Sequence, residues 1–296
     1  MFEAFEVIRN APMRKYTTLR LGGPADYLAF PRSREEILAL IQEAKEAGLP
    51  VTVIGHGSNL LVLDGGIRGL VIRVEKNMRN IRIENTRVIA QAGAMLIVTA
   101  QTAAMAGLSG LEFAAGIPGT VGGGVAMNAG AYDGELSRVT AWVECLRPDG
   151  TFVTLSREEM DFGYRHSVIQ DRNLIVTEAA FDLTPGAEAD IRQTMADLNA
   201  RRAEKQPLDQ PSAGSAFKRP EGAYAAALID QCGLRGYSVG GARVSEKHAG
   251  FLINTGDSSA DFLALMRHVQ RIVSERAGVD LEPDFYISIR SPSSSI

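Results

Sequence analysis

Across residues 31–48, apolar side chains recur at Ile37, Leu40, Ile41 and Ala44, the spacing of a single helix face. Ser33 is placed to cap that helix, Glu35 and Glu36 suit its first turn, and Gly48 ends it. The rhythm then shortens. Apolar runs at 50–54, 60–63, 70–74, 81–83 and 88–90 predict strands, before a helix over 96–105. Residues 145–155 predict a hairpin turning at Pro148-Asp149-Gly150, and 174–183 a further strand. An amphipathic helix is predicted over 187–205, failing at Gln206-Pro207, where proline disfavours helix. A second compact stretch follows: a loop to Ser215, a helix near 223–232, a long helix over 259–278, a strand near 285–289 and a frayed tail over 291–296. Helices and strands are mixed without strict alternation, which favours an α+β fold over a doubly wound sheet.

Composition narrows the picture. A chain of 296 residues favours two or three compact units over one core. With 45% hydrophobic and 22% charged residues it should fold as an ordinary globular protein. A net charge of -4 argues against a general nucleic-acid binder, which needs a basic field, yet leaves room for a local basic pocket. Cys145 and Cys232 read as buried thiols, because two cysteines build neither a disulfide framework nor a four-ligand zinc site. His56, His166, His248 and His268 lack metal-ligand spacing, so no metal is expected. The opening residues lack a basic region followed by an apolar stretch, and no run is long and apolar enough to span a bilayer, so a cytoplasmic protein is expected.

The chemistry lies in the glycines, thirty in all and clustered at 55–69 and 107–134. Gly55-His56-Gly57-Ser58-Asn59-Leu60 looks like a dinucleotide fingerprint, but the last glycine is missing and a strand follows where a Rossmann loop opens a helix. Consecutive amides in such a turn still form an anion-binding concavity, to which Ser58 and Asn59 add side-chain donors; a plain structural turn is the alternative. The segment 115–124 carries five glycines and a proline in ten residues. A backbone this bare has little of its own to pack, so contact with something else should steady it. Two such segments, too large for one phosphate, suit an extended dinucleotide laid between them. Tight strand turns in a glycine-rich β domain are the alternative.

At these segments the chain resembles the UDP-N-acetylenolpyruvoylglucosamine reductase family, over essentially its whole length. Seven motifs carry the likeness in order: Tyr16-Thr17-Thr18-Leu19-Arg20-Leu21-Gly22-Gly23; residues 55–60; residues 116–124 with Asn128 and Gly130; Tyr164-Arg165-His166-Ser167; Lys205-Gln206-Pro207; Gly214-Ser215-Ala216-Phe217; and residues 240–251, from Gly240 through His248 to Phe251. No tyrosine-bearing insertion interrupts the middle region, as in the family's shorter subtype.

The resemblance implies a two-lobed FAD-binding domain of the vanillyl-alcohol-oxidase-like (PCMH-type) α+β fold, with a smaller α+β substrate-binding domain at the C-terminus. Its divisions fall at 1–74 for the first lobe, 75–204 for the second and 205–283 for the substrate domain, with 284–296 returning to the first lobe. FAD is expected on Gly55, His56, Gly57, Ser58, Asn59 and Leu60 and on Gly116, Ile117, Pro118, Gly119, Thr120, Gly122 and Gly123. NADPH would reduce the flavin and leave, and a small-molecule UDP-sugar carrying an enolpyruvyl group would take its place on a monomeric enzyme. Arg165 matches the arginine that holds the substrate carboxylate, suited by its guanidinium fork. Ser215 matches the proton donor. Ser215 and Lys218 also spell S-x-x-K, but the companion β-lactamase motifs are absent. Lys205 matches a lysine on the UDP diphosphate, while Asn128, Tyr132, Arg219 and His248 are candidates to line the cleft.

One stretch departs from the family, whose pattern ends Leu-Glu-Pro-Glu-Val-Arg. Here it reads Leu281-Glu282-Pro283-Asp284-Phe285-Tyr286. The glutamate that assists protonation becomes Asp284, with Glu282 as its substitute; in an extended strand the two would share a face roughly 6–7 Å apart. A flavin oxidase of the same fold, tethered through His56, and a nucleotide-sugar-binding flavoprotein with impaired chemistry are the alternative readings.

Overall fold

The computed structural model describes residues 1–288. Ile289, the expected tail and most of the returning segment 284–296 lie outside the described residues. The fold divides into two compact units. One comprises Met1–Ile8, Leu28–His56 and Leu70–Arg202; the other comprises Arg9–Tyr27, Gly57–Gly69 and Ala203–Ile296. The chain leaves the first unit and enters the second in the middle of the first glycine segment.

In the first unit, helix α1 spans Arg34–Glu46 for the reasons its sequence suggests. The Ser33 hydroxyl accepts the Glu36 N–H at 3.2 Å, and Ile37, Leu40 and Ala44 are fully buried. Gly48, at φ +67°, turns the chain out of it. The strand Val51–Ile54 then pairs in parallel with Leu70 to Arg73, Ile54 lying opposite Arg73. The body of the unit is a five-stranded antiparallel sheet in the order Phe152–Ser156, Thr140–Leu146, Ile175–Asp182, Arg87–Gln91, Ile81–Glu84. Cys145 is buried in it, its thiol pushed up to about 12 by loss of water. Helix α2, Leu96–Met105, buries Leu96, Ala100, Ala103 and Ala104.

The second glycine segment is not the loop expected. A 3-10 turn, Glu112–Gly116, leads through four residues into helix α3, Val121–Ala126, whose Val121, Gly122, Gly124 and Val125 are buried. Bareness therefore serves packing: a Cβ on Gly122 would stand 2.9 Å from the Ala92 methyl, and one on Gly124 2.8 Å from Leu96 Cδ1. Helix α4, Val168–Asp171, is short. Helix α5, Glu188–Lys205, was expected to be amphipathic, yet it buries only Ile191 and Met195.

In the second unit a four-stranded antiparallel sheet runs Ser212–Ser215, Phe251–Asn254, Ala242–Val244, Ser238–Val239. The stretch read as a loop up to Ser215 is thus an edge strand. Helix α6, Ala225–Gln231, and helix α7, Ser259–Ala277, complete the unit. Helix α7 buries Phe262, Leu265, Met266, Val269, Ile272 and Val273, a 3.6-residue stripe, and stops at Gly278 in the left-handed conformation. These side chains share a core with Leu19, Leu21, Leu61, Phe217, Ile229, Cys232 and Phe285. The strand Tyr286–Ser288 pairs in parallel with Leu60–Val62. Among the described residues no helix is long and apolar enough to cross a membrane.

Candidate active site

Each glycine of the first segment is held by a close neighbour. At Gly55 an added Cβ would fall 2.2 Å from Thr120 Oγ1, so the structure brings the two glycine segments into contact. Gly57 has φ +75°, and a Cβ there would meet the Tyr16 carbonyl oxygen at 2.2 Å. The Thr18 N–H donates to the Gly57 carbonyl at 3.2 Å. Among the described residues the amides of His56, Gly57 and Ser58 meet no protein acceptor, which leaves a short row of donors in a turn. Downstream the Asn59 carbonyl accepts the Tyr286 N–H at 3.0 Å, and Leu60 begins its strand.

The second segment offers fewer donors. Gly122 N–H is taken by the Ala92 carbonyl at 2.8 Å, and Gly123 N–H by Thr120 Oγ1 at 3.3 Å as the cap of α3. Gly119 and Thr120 keep amides with no protein acceptor among the described residues. Against Gly116 stand two residues the sequence reading missed: a Cβ there would meet Asn199 Oδ1 at 2.7 Å and Arg202 Cδ at 3.0 Å. Burial lowers the Arg202 pKa, and no carboxylate of the described residues pairs with it. Its signal in the sequence was position, one helical turn before Lys205. Spare amides beside backbone with no room for Cβ, and a desolvated guanidinium, fit the pyrophosphate and flat rings of FAD.

Arg165 lies at the tip of a tight turn, at φ +55°, a conformation that costs a residue with a Cβ. Gly163 and His166 exchange backbone hydrogen bonds at 3.1 and 3.3 Å across it. The turn is pinned from below: Ser167 Oγ donates to the Ala126 carbonyl at 2.8 Å, and His166 meets Gln170 and Asp171 at 2.9 and 3.0 Å. The guanidinium rests over the Tyr164 ring, 5.2 Å from its centroid. Asn128, a candidate for the substrate, is buried at φ +42° and spends its amide inside the fold. Its Nδ2 donates to the Gly163 carbonyl at 3.0 Å and its Oδ1 accepts the Ser137 N–H at 2.9 Å, so it staples the turn that carries Arg165. Tyr132, at φ +50°, is exposed.

In the second unit Ser215 ends the edge strand, paired with Phe251. Its hydroxyl reaches the Phe217 carbonyl only at 3.4 Å. Residues 216–218 run antiparallel to 282–284: Asp284 N–H donates to the Ala216 carbonyl at 3.0 Å, and Lys218 N–H to the Glu282 carbonyl at 2.8 Å. This ladder sets Asp284 opposite Ala216, the residue that follows Ser215. The two carboxylates stand in different surroundings. Asp284 is buried, whereas the Glu282 side chain is 74% exposed and pairs with Lys218 Nζ at 3.2 Å.

Arg219 stacks on Tyr224 at 4.4 Å, and Lys205 ends α5 in solvent. His248 accepts the Gly250 N–H at Nδ1, 3.1 Å away, and meets the Phe251 ring edge-on; burial lowers its pKa, so the ring is neutral.

Residues 25–156 match the FAD binding domain family, and residues 206–288 match the C-terminal domain family of UDP-N-acetylenolpyruvoylglucosamine reductase. The reductase of that name from Levilactobacillus brevis is 52% identical over 99% of this chain and 96% of its own length. That from Caldanaerobacter subterraneus is 48% identical over 94% of this chain and 92% of its own. The crystal structure of the Thermus caldophilus reductase superposes with a TM-score of 0.82 at 38% identity, covering 96% of this chain and 98% of that one. With relatives this similar matched along nearly their entire length, the chain belongs to the UDP-N-acetylenolpyruvoylglucosamine reductase family.

Proposed function

We propose that the chain reduces the enolpyruvyl group of UDP-N-acetylenolpyruvoylglucosamine, giving UDP-N-acetylmuramate for peptidoglycan precursor synthesis. Bound FAD, reduced by NADPH, would provide hydride for the vinyl methylene carbon. The residues to hold it are Gly55, His56, Gly57, Ser58, Asn59 and Leu60, with Gly116, Ile117, Pro118, Gly119 and Thr120 and the helix start at Gly122 and Gly123. Arg202 adds positive charge beside Gly116.

Hydride addition drives the vinyl electrons toward the substrate carboxylate, and a fixed cation there lowers the barrier. Arg165 supplies it, on a turn already bent to the required shape. Ser215 delivers a proton to the neighbouring carbon, which completes the new C–H bond and leaves an alkoxide for solvent to reprotonate. A hydroxyl is a weak acid, so the buried carboxyl of Asp284, on the segment paired with residues 216–218, is assigned the assisting role. Lys205, Arg219 and His248 are assigned to the UDP-sugar, and Asn128 acts through the Arg165 turn. The three-part division at 74, 204 and 283, the monomeric state, the cytoplasmic setting and the absence of nucleic-acid and membrane partners belong to the same reading.

The ladder that sets the buried Asp284 opposite Ala216, next in sequence to Ser215, supports this assignment. Under anaerobic conditions NADPH should bleach the bound flavin, and the enolpyruvyl substrate should restore its colour. Bleaching without recovery would leave an oxidase or a non-catalytic binder. Within the site, Asp284→Asn should slow turnover about a hundredfold, and Glu282→Gln far less. The reverse order moves the role to Glu282.

A further inference from the structure

We propose that Glu75 is a positioning residue that holds the first glycine segment in its cofactor-binding shape through Arg73. The inference rests on the FAD reading above and concerns a part of the fold that none of the family motifs contains.

The parallel register sets Arg73 opposite Ile54, the last strand residue before Gly55. From there Arg73 Nε donates to the Gly55 carbonyl at 3.4 Å. Its Nη2 lies 2.9 Å from Glu75 Oε2. The other carboxylate oxygen, Oε1, stands 3.8 Å from His56 Nδ1. One carboxylate thus faces both the guanidinium that grips Gly55 and the imidazole of the next residue.

The pair is also poorly hydrated, with Arg73 and Glu75 side chains only 13% and 20% exposed. Ion pairs withdrawn from water are not retained for stability alone, since apolar packing often does as well. A second observation points to what this pair does. His56 Nδ1 is buried without a hydrogen-bond partner, and burial holds the ring neutral; the charges facing it are Glu75 and Arg73.

A trans peptide aims its C=O and the following N–H in opposite directions. With the Gly55 carbonyl drawn to Arg73, the His56 N–H points away from it, the first in the row of amides at His56, Gly57 and Ser58 that meet no protein acceptor. Removing Glu75 takes away one of the partners that orient the guanidinium, and the anchor that sets the plane of the Gly55–His56 peptide is weakened. The predicted loss is in cofactor affinity. The fold should be spared, because the strand register that places Arg73 does not depend on the carboxylate.

The test is titration of FAD into apoprotein, followed by visible absorbance, for wild type, Glu75→Ala, Glu75→Gln, Arg73→Ala and the Arg73→Ala/Glu75→Ala double variant, with a thermal melt of each apoprotein. Glu75→Ala should weaken FAD about tenfold, the worth of one charge-assisted hydrogen bond, with Glu75→Gln between it and wild type. The double variant should be no worse than the poorer single one, since both act on one peptide. Apoprotein Tm values should agree within about 2 °C. Unchanged FAD affinity in Glu75→Ala overturns the proposal, as does a loss of affinity that only tracks a loss of Tm. A wild-type apoprotein that takes up no FAD sinks the cofactor reading itself, a result distinct from either.

Discussion

The two glycine segments read alike in sequence and are built on opposite principles. In the first, glycine is required by the backbone itself: Gly57 turns with a positive φ while pressed against the Tyr16 carbonyl, and its neighbours' amides point at no protein acceptor. In the second, glycine is required by side chains arriving from elsewhere: α3 is driven against Ala92 and Leu96, and its amides are mostly spent inside the fold. A cluster of glycines therefore has two physical causes, a backbone bent where a Cβ is strained and the close approach of side chains from elsewhere, and composition alone does not separate them.

Substitutions should separate them. Gly57→Ala should have the largest effect, about a hundredfold loss of FAD affinity from a strained φ and a backbone clash, seen as colourless protein after gel filtration. Retention of stoichiometric flavin would place the first segment with the second. Gly122→Ala should cost about 1–3 kcal/mol of stability by overpacking against Ala92, measured by urea unfolding of apoprotein. An equal loss for Gly57→Ala in that assay would erase the contrast. Thr120→Ala removes the cap of α3 and should cost about 1 kcal/mol, with Thr120→Ser largely restoring it.

The smallest effect is in pH. Burial lowers the pKa of His56, so the fold binds fewer protons there than the unfolded chain does. Its contribution is intact above the ordinary histidine range near pH 6.5 and is lost as pH falls through the depressed folded value. His248 acts in the same sense. Melting temperature should hold steady above about pH 7 and decline below about pH 6, and His56→Gln should flatten part of that decline; an unaltered slope would remove His56 from the account.

Much of this was legible beforehand, where one side chain decided the outcome. Ser33 and Gly48 bracket α1 as read, Gly150 turns its hairpin, and Gly278 closes α7. What failed was decided by distant neighbours. Helix α3 was hidden because glycine is a poor helix former, and only Ala92 and Leu96, far off in sequence, make its bareness useful. The strands Val7–Pro12, Pro24–Ala29 and Ser212–Ser215 were missed, being short or polar in part. Of the proposed site, Arg165 and Ser215 were expected from motifs, whereas Arg202 and the Arg73–Glu75 pair needed coordinates, since a lone charge in sequence does not say whether water reaches it. That Asp284 is buried and Glu282 exposed was likewise not legible from their spacing.

The two native thiols have a practical consequence. Cys145 and Cys232 are both buried, and Cys145 stays protonated far above neutrality. Maleimide probes should pass over the native enzyme, so a single cysteine placed on its surface would report distances by fluorescence without any background to subtract.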